Sequence, residues 1–402
     1  MERCLFCDCD LATGSEEHVF LSALGGRIAT HRATCNQCNN AFASDETGKV
    51  DDALAEAFKE VRNGLKIWSG RNGPPPTLQR AGTMLDGSEI DLAPGFVPVL
   101  RPGRLPAASH LITGSEVKLV ARNEADAKRL LDILSRRGIS ATNGSATRVW
   151  EKAPTIHLSV SFDGPKVWRT VAKTAVVAFV VLYGNEQARH LTSKDLRHSI
   201  RYGTPSIDNF VGWDFINDWP VINSLQPHPK TPAAQPSGFE HSLVITDVQG
   251  HSVAYVTFFG SWRFSVLLGP KTNLAMRGLA INPRSLKPAR FIITGQEPGS
   301  YVPKSPSSFA AENADIQRGV KDAFDRAFHQ WSDESRADYA QLLADELGAI
   351  LEESGEDEAR RAAAIRTFAE MVATVELGAT WATDLDTIFD EDTSQIGTEL
   401  GR

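Results

Sequence analysis

Two Cys-x-x-Cys pairs, Cys4/Cys7 and Cys35/Cys38, constrain the N-terminal end of this chain more than any other feature. One such turn offers two thiolates to a single ion, and two turns complete a tetrahedral shell for which zinc is the expected occupant. The pairs clasp the ends of a 27-residue gap, Asp8 to Thr34, which is longer than a bare zinc ribbon needs. All five cysteines lie in the first tenth of the sequence, and no charged-then-apolar leader precedes them. Secretion and a disulfide framework are therefore not expected, and a reducing cytoplasm fits. The fifth cysteine, Cys9, has a poorer chelating spacing from Cys7 and reads as a free thiol, with exchange for a neighbour left open.

Inside the gap, Val19, Phe20 and Leu21 read as a short strand, Gly25-Gly26 as a tight turn, and residues 27–34 as a return strand. The run Cys-Asn-Gln-Cys-Asn-Asn then opens a helix. The expectation is a ββα unit with His18 on the first strand opposite Asn39 on the helix.

The order Cys-x-x-Cys, Glu-His-Val, Leu-Gly-Gly, Cys-x-x-Cys-Asn, Phe resembles the HNH endonucleases, nearest to the subgroup with paired zinc cysteines. The likeness runs from Met1 to about Pro76, because residues 62–67 and Gly70-Arg71 also look like the tail of that domain. It implies a zinc-clasped ββα-metal fold with Cys4, Cys7, Cys35 and Cys38 as structural zinc ligands. It further implies His18 as general base, with Glu17 and Asn39 as ligands of a catalytic Mg2+ or Mn2+ and Asn40 as the alternative ligand. Two departures stand out. Arg32 occupies the place near which many relatives carry a loop asparagine, and the aspartate expected soon after Asn39 is displaced, to Asp45 or to Asp51.

The chemistry so implied is phosphodiester hydrolysis. A water must lose a proton while negative charge grows on the phosphate, and an imidazole with an ordinary pKa of about 6.5 is mostly free base at neutral pH. A hard cation with oxygen ligands meets the second need. His31, between Thr30 and Arg32 with no partner motif, reads as an ordinary polar residue.

A chain of 402 residues with 42% hydrophobic content exceeds what one small ββα unit requires. The fold class expected is α+β and multidomain: a nuclease-like unit over 1–76, a mixed α/β region with antiparallel strands over 77–300, and an acidic helical region over 301–402. The first break falls at Gly73-Pro74-Pro75-Pro76, where stacked prolines forbid helix. A strand is expected at 117–120, a helix at 124–137 with Leu130, Leu131 and Leu134 on one face, a strand approach at 139–141 and a strand over 155–162. The following helix is unusually apolar, with Val176, Val177, Phe179, Val180, Val181 and Leu182, yet too short to cross a bilayer. Arg169 and Lys173 share a face of it, as a phosphate contact or, more simply, as a solvated face.

Strands at 243–245, 253–259 and 264–268 predict an antiparallel meander in which Tyr255 or Trp262 is a base-stacking surface or, more commonly, core. Loops are expected at 231–237 and 303–308. Helices are expected over 315–331, 335–351 and 356–377, with an apolar stripe through Phe324, Phe328, Tyr339, Leu342, Leu343 and Leu347. That stripe would pack on the body or form a homodimer or partner contact.

The formal net charge of −8 is uneven. Residues 301–402 hold 9 Lys+Arg against 22 Asp+Glu, leaving a modestly basic body that is compatible with DNA as partner. No glycine-rich phosphate loop of the Gly-x-x-x-x-Gly-Lys-Ser/Thr type is present. Three readings follow: a metal-dependent endonuclease acting on double-stranded DNA, for which the resemblance suggests restriction or phage defence; a zinc-stabilised nucleic-acid-binding or adaptor protein without catalysis; and a zinc-thiolate redox module resting on Cys9.

Overall fold

The segment between the two cysteine pairs folds back on itself. Strands β1 (Gly14–His18) and β2 (Ala29–Cys35) pair antiparallel, and β2 runs directly into helix α1 (Asn36–Phe42). This is the expected ββα order in the computed structural model, with the helix opening where the second cysteine pair does. The first strand, however, lies before His18 rather than after it. The cause is the turn that follows: a 3-10 turn at Ser22–Leu24 is closed by Gly25 at φ 86°, and Gly26 donates its N–H to the Leu21 carbonyl. The chain from Leu21 is therefore committed to the turn.

The structure describes residues 2–11, 14–44, 49–84, 88–101, 121, 124–137, 162, 164–214, 225–227, 237–248, 250–285, 290–293, 313–355 and 357–377. The elements expected at 117–120, 139–141, 155–161, 231–236 and 303–308 lie outside these, as does Asp45.

Further along come α2 (Val50–Ala57), α3 (Lys59–Gly64) and a three-stranded sheet of β3 (Leu78–Thr83), β4 (Glu89–Ala93) and β5 (Val97–Leu100). Helices α4 (Glu124–Arg136), α5 (Gly164–Tyr183), α6 (Asn185–Leu191) and α7 (Lys194–Tyr202) follow. A seven-stranded antiparallel sheet is built from β6 (Val211–Trp213), β7 (Leu225–Pro227), β8 (His241–Val248), β9 (His251–Phe258), β10 (Trp262–Pro270), β11 (Arg277–Ile281) and β12 (Arg290–Ile293). Its order is β6-β10-β9-β8-β11-β12-β7. The chain continues into α8 (Asn313–Glu353) and α9 (Glu358–Leu377). The architecture is mixed α/β. Among the described residues no helix is long and apolar enough to cross a membrane.

Two compact units divide the chain: residues 1–81, 91–99 and 157–333 make the first, and 82–90, 100–156 and 334–402 the second. In the first unit α5 is central. Apolar on nearly every face, it must be covered all round, and it packs against α2, α6, α7, β2, β9 and β10. Its apolar residues share one core with Phe20, Phe42, Phe58, Phe258 and Trp262. The meander appears as expected, β8-β9-β10, with Gly250 and Gly260 both at positive φ in the connections. Tyr255 and Trp262 are buried, which removes them as base-stacking surfaces. Arg169 is also inward, its guanidinium donating to the Ile200 and Arg201 carbonyls at the end of α7.

Within the second unit α4 buries Leu130 and Leu134, one helical turn apart, but leaves Leu131 about half exposed. The expected three-leucine face is thus a two-leucine stripe, since adjacent helical residues point about 100° apart. Helix α8 is continuous where two helices were expected. No glycine or proline lies between Trp331 and Ser335 to interrupt it, whereas Ser354-Gly355, with Gly355 at φ 62°, does end it. Of the expected stripe, Phe324 packs edge-on to Trp262 and Phe328 stacks on Phe96, while Leu342 is exposed.

Candidate functional site

The first knuckle is made by backbone. Asp8 adopts a left-handed φ of 58°, its N–H reaches the Cys4 carbonyl, and the Cys4 N–H returns to the Cys9 carbonyl at 2.8 Å. This turn folds Cys9 back over the pair. The second knuckle is a helix start: Cys35 caps α1, its sulfur accepting from the Cys38 N–H, while the Cys35 N–H points at the Cys4 sulfur. The Sγ atoms of Cys4, Cys7, Cys9 and Cys35 all lie within 4.8 Å of one another, and Cys38 hydrogen-bonds to Cys4. Cys9, expected to stand apart as a free thiol, is 3.3 Å from Cys7.

A donor set of this kind fits zinc. A tetrahedral S4 site with Zn–S bonds of about 2.3 Å places its sulfurs about 3.8 Å apart. The Cys7–Cys35 separation is 3.6 Å. The Cys38 hydrogen bond outweighs burial and brings Cys4 down to about 5, which favours the thiolate that zinc binds. Distant residues brace the knuckle: Arg189 pairs with Asp8 at 2.7 Å, Arg197 donates to the Leu5 carbonyl, and buried Asn185 donates to the Arg3 and Arg32 carbonyls.

On β1 the alternation of a strand separates two neighbouring acids. Glu17 is 3% exposed, Glu16 is exposed and His18 is half-buried, so Glu17 points inward while Glu16 and His18 share the outer face. The register is irregular between Ser15, which faces Thr34, and Glu17, which faces Thr30. Asn39 reaches this strand from α1. Its Nδ2 donates to Ser15 Oγ at 2.6 Å and toward the Glu16 carbonyl at 3.4 Å. The fold thus brings Asn39 to the backbone beside His18, but not to the Glu17 carboxylate.

Inside, Glu17 Oε1 accepts from the Lys173 ammonium at 2.9 Å, and the same ammonium is ion-paired with Asp51. Lys173 is 1% exposed and lies over the Phe42 ring, 4.7 Å from its centroid. Burial opposes its charge, but Glu17 and Asp51 outweigh that and hold its pKa above the ordinary lysine value. The second Glu17 oxygen, Oε2, is sealed from solvent without a hydrogen bond. A solvated divalent ion has no approach to this carboxylate, so Glu17 as placed does not fit the role of its ligand.

His18 is pushed toward its neutral form. Burial lowers its pKa, with Arg71 acting in the same direction and Glu16 against it. Arg71 was not among the expected site residues; it lies on the loop after α3 and comes within 3.9 Å of Glu16. Lys173, expected with Arg169 on a phosphate-contacting or solvated face, is neither: it is buried, because its charge is met by Glu17 and Asp51 from distant parts of the chain.

A cysteine clasp around an inward acid and an outward histidine on one strand, with an asparagine on the next helix, is now in view. Residues 4–58 match the family model of HNH endonucleases. No curated protein and no solved structure matches the chain. The HNH match suggests nuclease activity in general, and it contains the five cysteines, Glu16, Glu17, His18, Asn39 and Asp51. Lys173 and Arg71, which complete the two sides of β1, both lie outside it.

Proposed function

We propose that this protein is an HNH-type endonuclease hydrolysing DNA phosphodiester bonds, with His18 as general base and zinc as the structural ion of the cysteine clasp. The observation that carries the reading is His18 itself: half-buried, on the outer face of β1 inside the HNH match, with burial lowering its pKa. On that face His18 takes a proton from water as the water oxygen bonds to phosphorus and the phosphorus–oxygen bond to the leaving strand breaks. Asn39 holds β1 against α1 at Ser15 and Glu16, fixing the imidazole's position. Cys4, Cys7 and Cys35, with Cys9 and Cys38 beside them, would hold zinc, which cross-links the start of the chain to the start of α1.

Mg2+ or Mn2+ is the proposed activating ion, as the resemblance suggests. Because Glu17 is committed to Lys173, no step is routed through an ion bound there. The assay is nicking of supercoiled plasmid with Mg2+, Mn2+ or EDTA. Metal-dependent nicking supports the reading, and absence of nicking with every metal removes it.

A second reading rests on the same Glu17–Lys173 pair: a zinc-clasped nucleic-acid-binding or adaptor protein that keeps the fold without cleaving. Zinc retention and DNA binding without nicking would select it.

A further inference from the structure

The charged groups that act on His18 are Glu16, Arg71, Lys173 and Asp51. Lys173 and Asp51 are tied up with Glu17 in one ion-paired cluster behind the strand, which leaves Glu16 and Arg71 on the outer face. A phosphodiester approaching His18 on that face meets one carboxylate and one guanidinium. The guanidinium is 71% exposed, and its ion pair with Glu16 is stretched to 3.9 Å.

The loop that carries Arg71 is built rather than merely present. The Gly70 N–H donates to the Ser22 carbonyl at 2.7 Å, and Ser69 and Gly73 bond reciprocally, the Ser69 N–H to the Gly73 carbonyl and the Gly73 N–H to Ser69 Oγ. Asn72 takes a left-handed φ of 62° to close it. Arg27, just past the Gly25-Gly26 turn, grips the loop from beneath, donating to the Ser69 and Gly70 carbonyls and to Asn72 Oδ1. A Cβ on Gly70 would lie 1.8 Å from the Gly26 carbonyl oxygen, so the loop and the turn approach as closely as two glycines permit. The turn that follows His18 and the loop that bears Arg71 are thereby one rigid piece.

We propose that Arg71 binds the nucleic-acid phosphate at the His18 site, a role that rests on the nuclease reading above. The fork of a guanidinium matches two phosphate oxygens at once, and a pinned loop loses little freedom on binding. Glu16 is then a resting partner that a phosphate displaces.

The test uses the full zinc-loaded chain and the variants Arg71→Ala and Arg71→Lys, with single-turnover plasmid nicking and binding to a short DNA duplex across a salt series. Arg71→Ala is expected to slow nicking by about 10- to 100-fold. It is also expected to reduce the slope of log affinity against log salt by about one. Arg71→Lys keeps the charge but not the fork, and should retain the slope while recovering only part of the rate. Urea unfolding of both variants should match the wild type, because the side chain is exposed. Wild-type nicking and an unchanged salt slope in Arg71→Ala would overturn the proposal. If the wild type fails to nick with any metal, the nuclease reading falls on its own, and the salt slope still decides: unchanged in Arg71→Ala, phosphate binding at Arg71 falls with it.

Discussion

His241 should make the stability of this fold fall sharply between pH 6.5 and 4. Its ring is fully buried at the start of β8, packed by Phe20, Phe258 and Phe259. The backbone forces one tautomer. Phe259 N–H can only donate, so Nδ1 accepts at 3.1 Å, and the Leu24 carbonyl can only accept, so Nε2 donates at 2.7 Å. A second proton on Nδ1 would face an N–H, and burial already lowers the pKa to about 4.

The folded pKa lies below the unfolded value of about 6.5, so as pH falls the unfolded chain takes up the proton first. The contribution is intact above about pH 6.5, declines below it and is flat again beneath about pH 4. Linkage gives a loss of about 2 kcal/mol at pH 5 and about 3 kcal/mol at pH 4. Against a typical total of about 5–15 kcal/mol that is a large fraction. Urea unfolding at pH 7, 6 and 5 of the wild type and His241→Gln, which keeps a donor and an acceptor but does not titrate, isolates the residue. The stability difference between the two should shrink by about 2 kcal/mol from pH 7 to pH 5. A difference that stays constant would refute the argument.

The Glu17–Lys173–Asp51 triad predicts that Lys173→Met costs about 3–5 kcal/mol in urea unfolding, because the buried Glu17 and the partly exposed Asp51 lose their cation. Adding Glu17→Gln and Asp51→Asn should recover much of it; a Lys173→Met protein as stable as the wild type would contradict the triad. Five thiols gathered where zinc takes four predict about one zinc per chain by atomic emission. They also predict retention in Cys9→Ser and in Cys38→Ser singly, with loss in the double variant; complete loss in Cys38→Ser alone would rule out the fifth thiol as a substitute.

Much of the HNH segment was legible because its signals are local. Ligand spacing marks the clasp, the cysteine run marks the start of α1, and Gly25-Gly26 marks the turn. Helix α5 was legible from its apolar run, and the β8-β9-β10 meander from apolar runs separated by Gly250 and Gly260. Which of two adjacent acids faces inward was not, since Glu16 and Glu17 differ only by strand phase, and the phase is set by the irregular pairing of Ser15 and Glu17 with β2. Nor was the partner of Glu17, because Lys173 is 156 positions away and its pairing is decided by the packing of α5. Arg71 was marked in the Gly70-Arg71 pair but without a role, for a related reason: its position depends on the Gly26–Gly70 approach, a contact between two turns that neither turn announces.

In the proposed function His18 does the chemistry within a fold that zinc maintains. Plasmid nicking by His18→Ala, measured beside its zinc content and urea midpoint, tests it most directly. His18→Ala should keep wild-type zinc and stability with nicking abolished; nicking at the wild-type rate by the folded, zinc-loaded variant would rule out His18 as the general base.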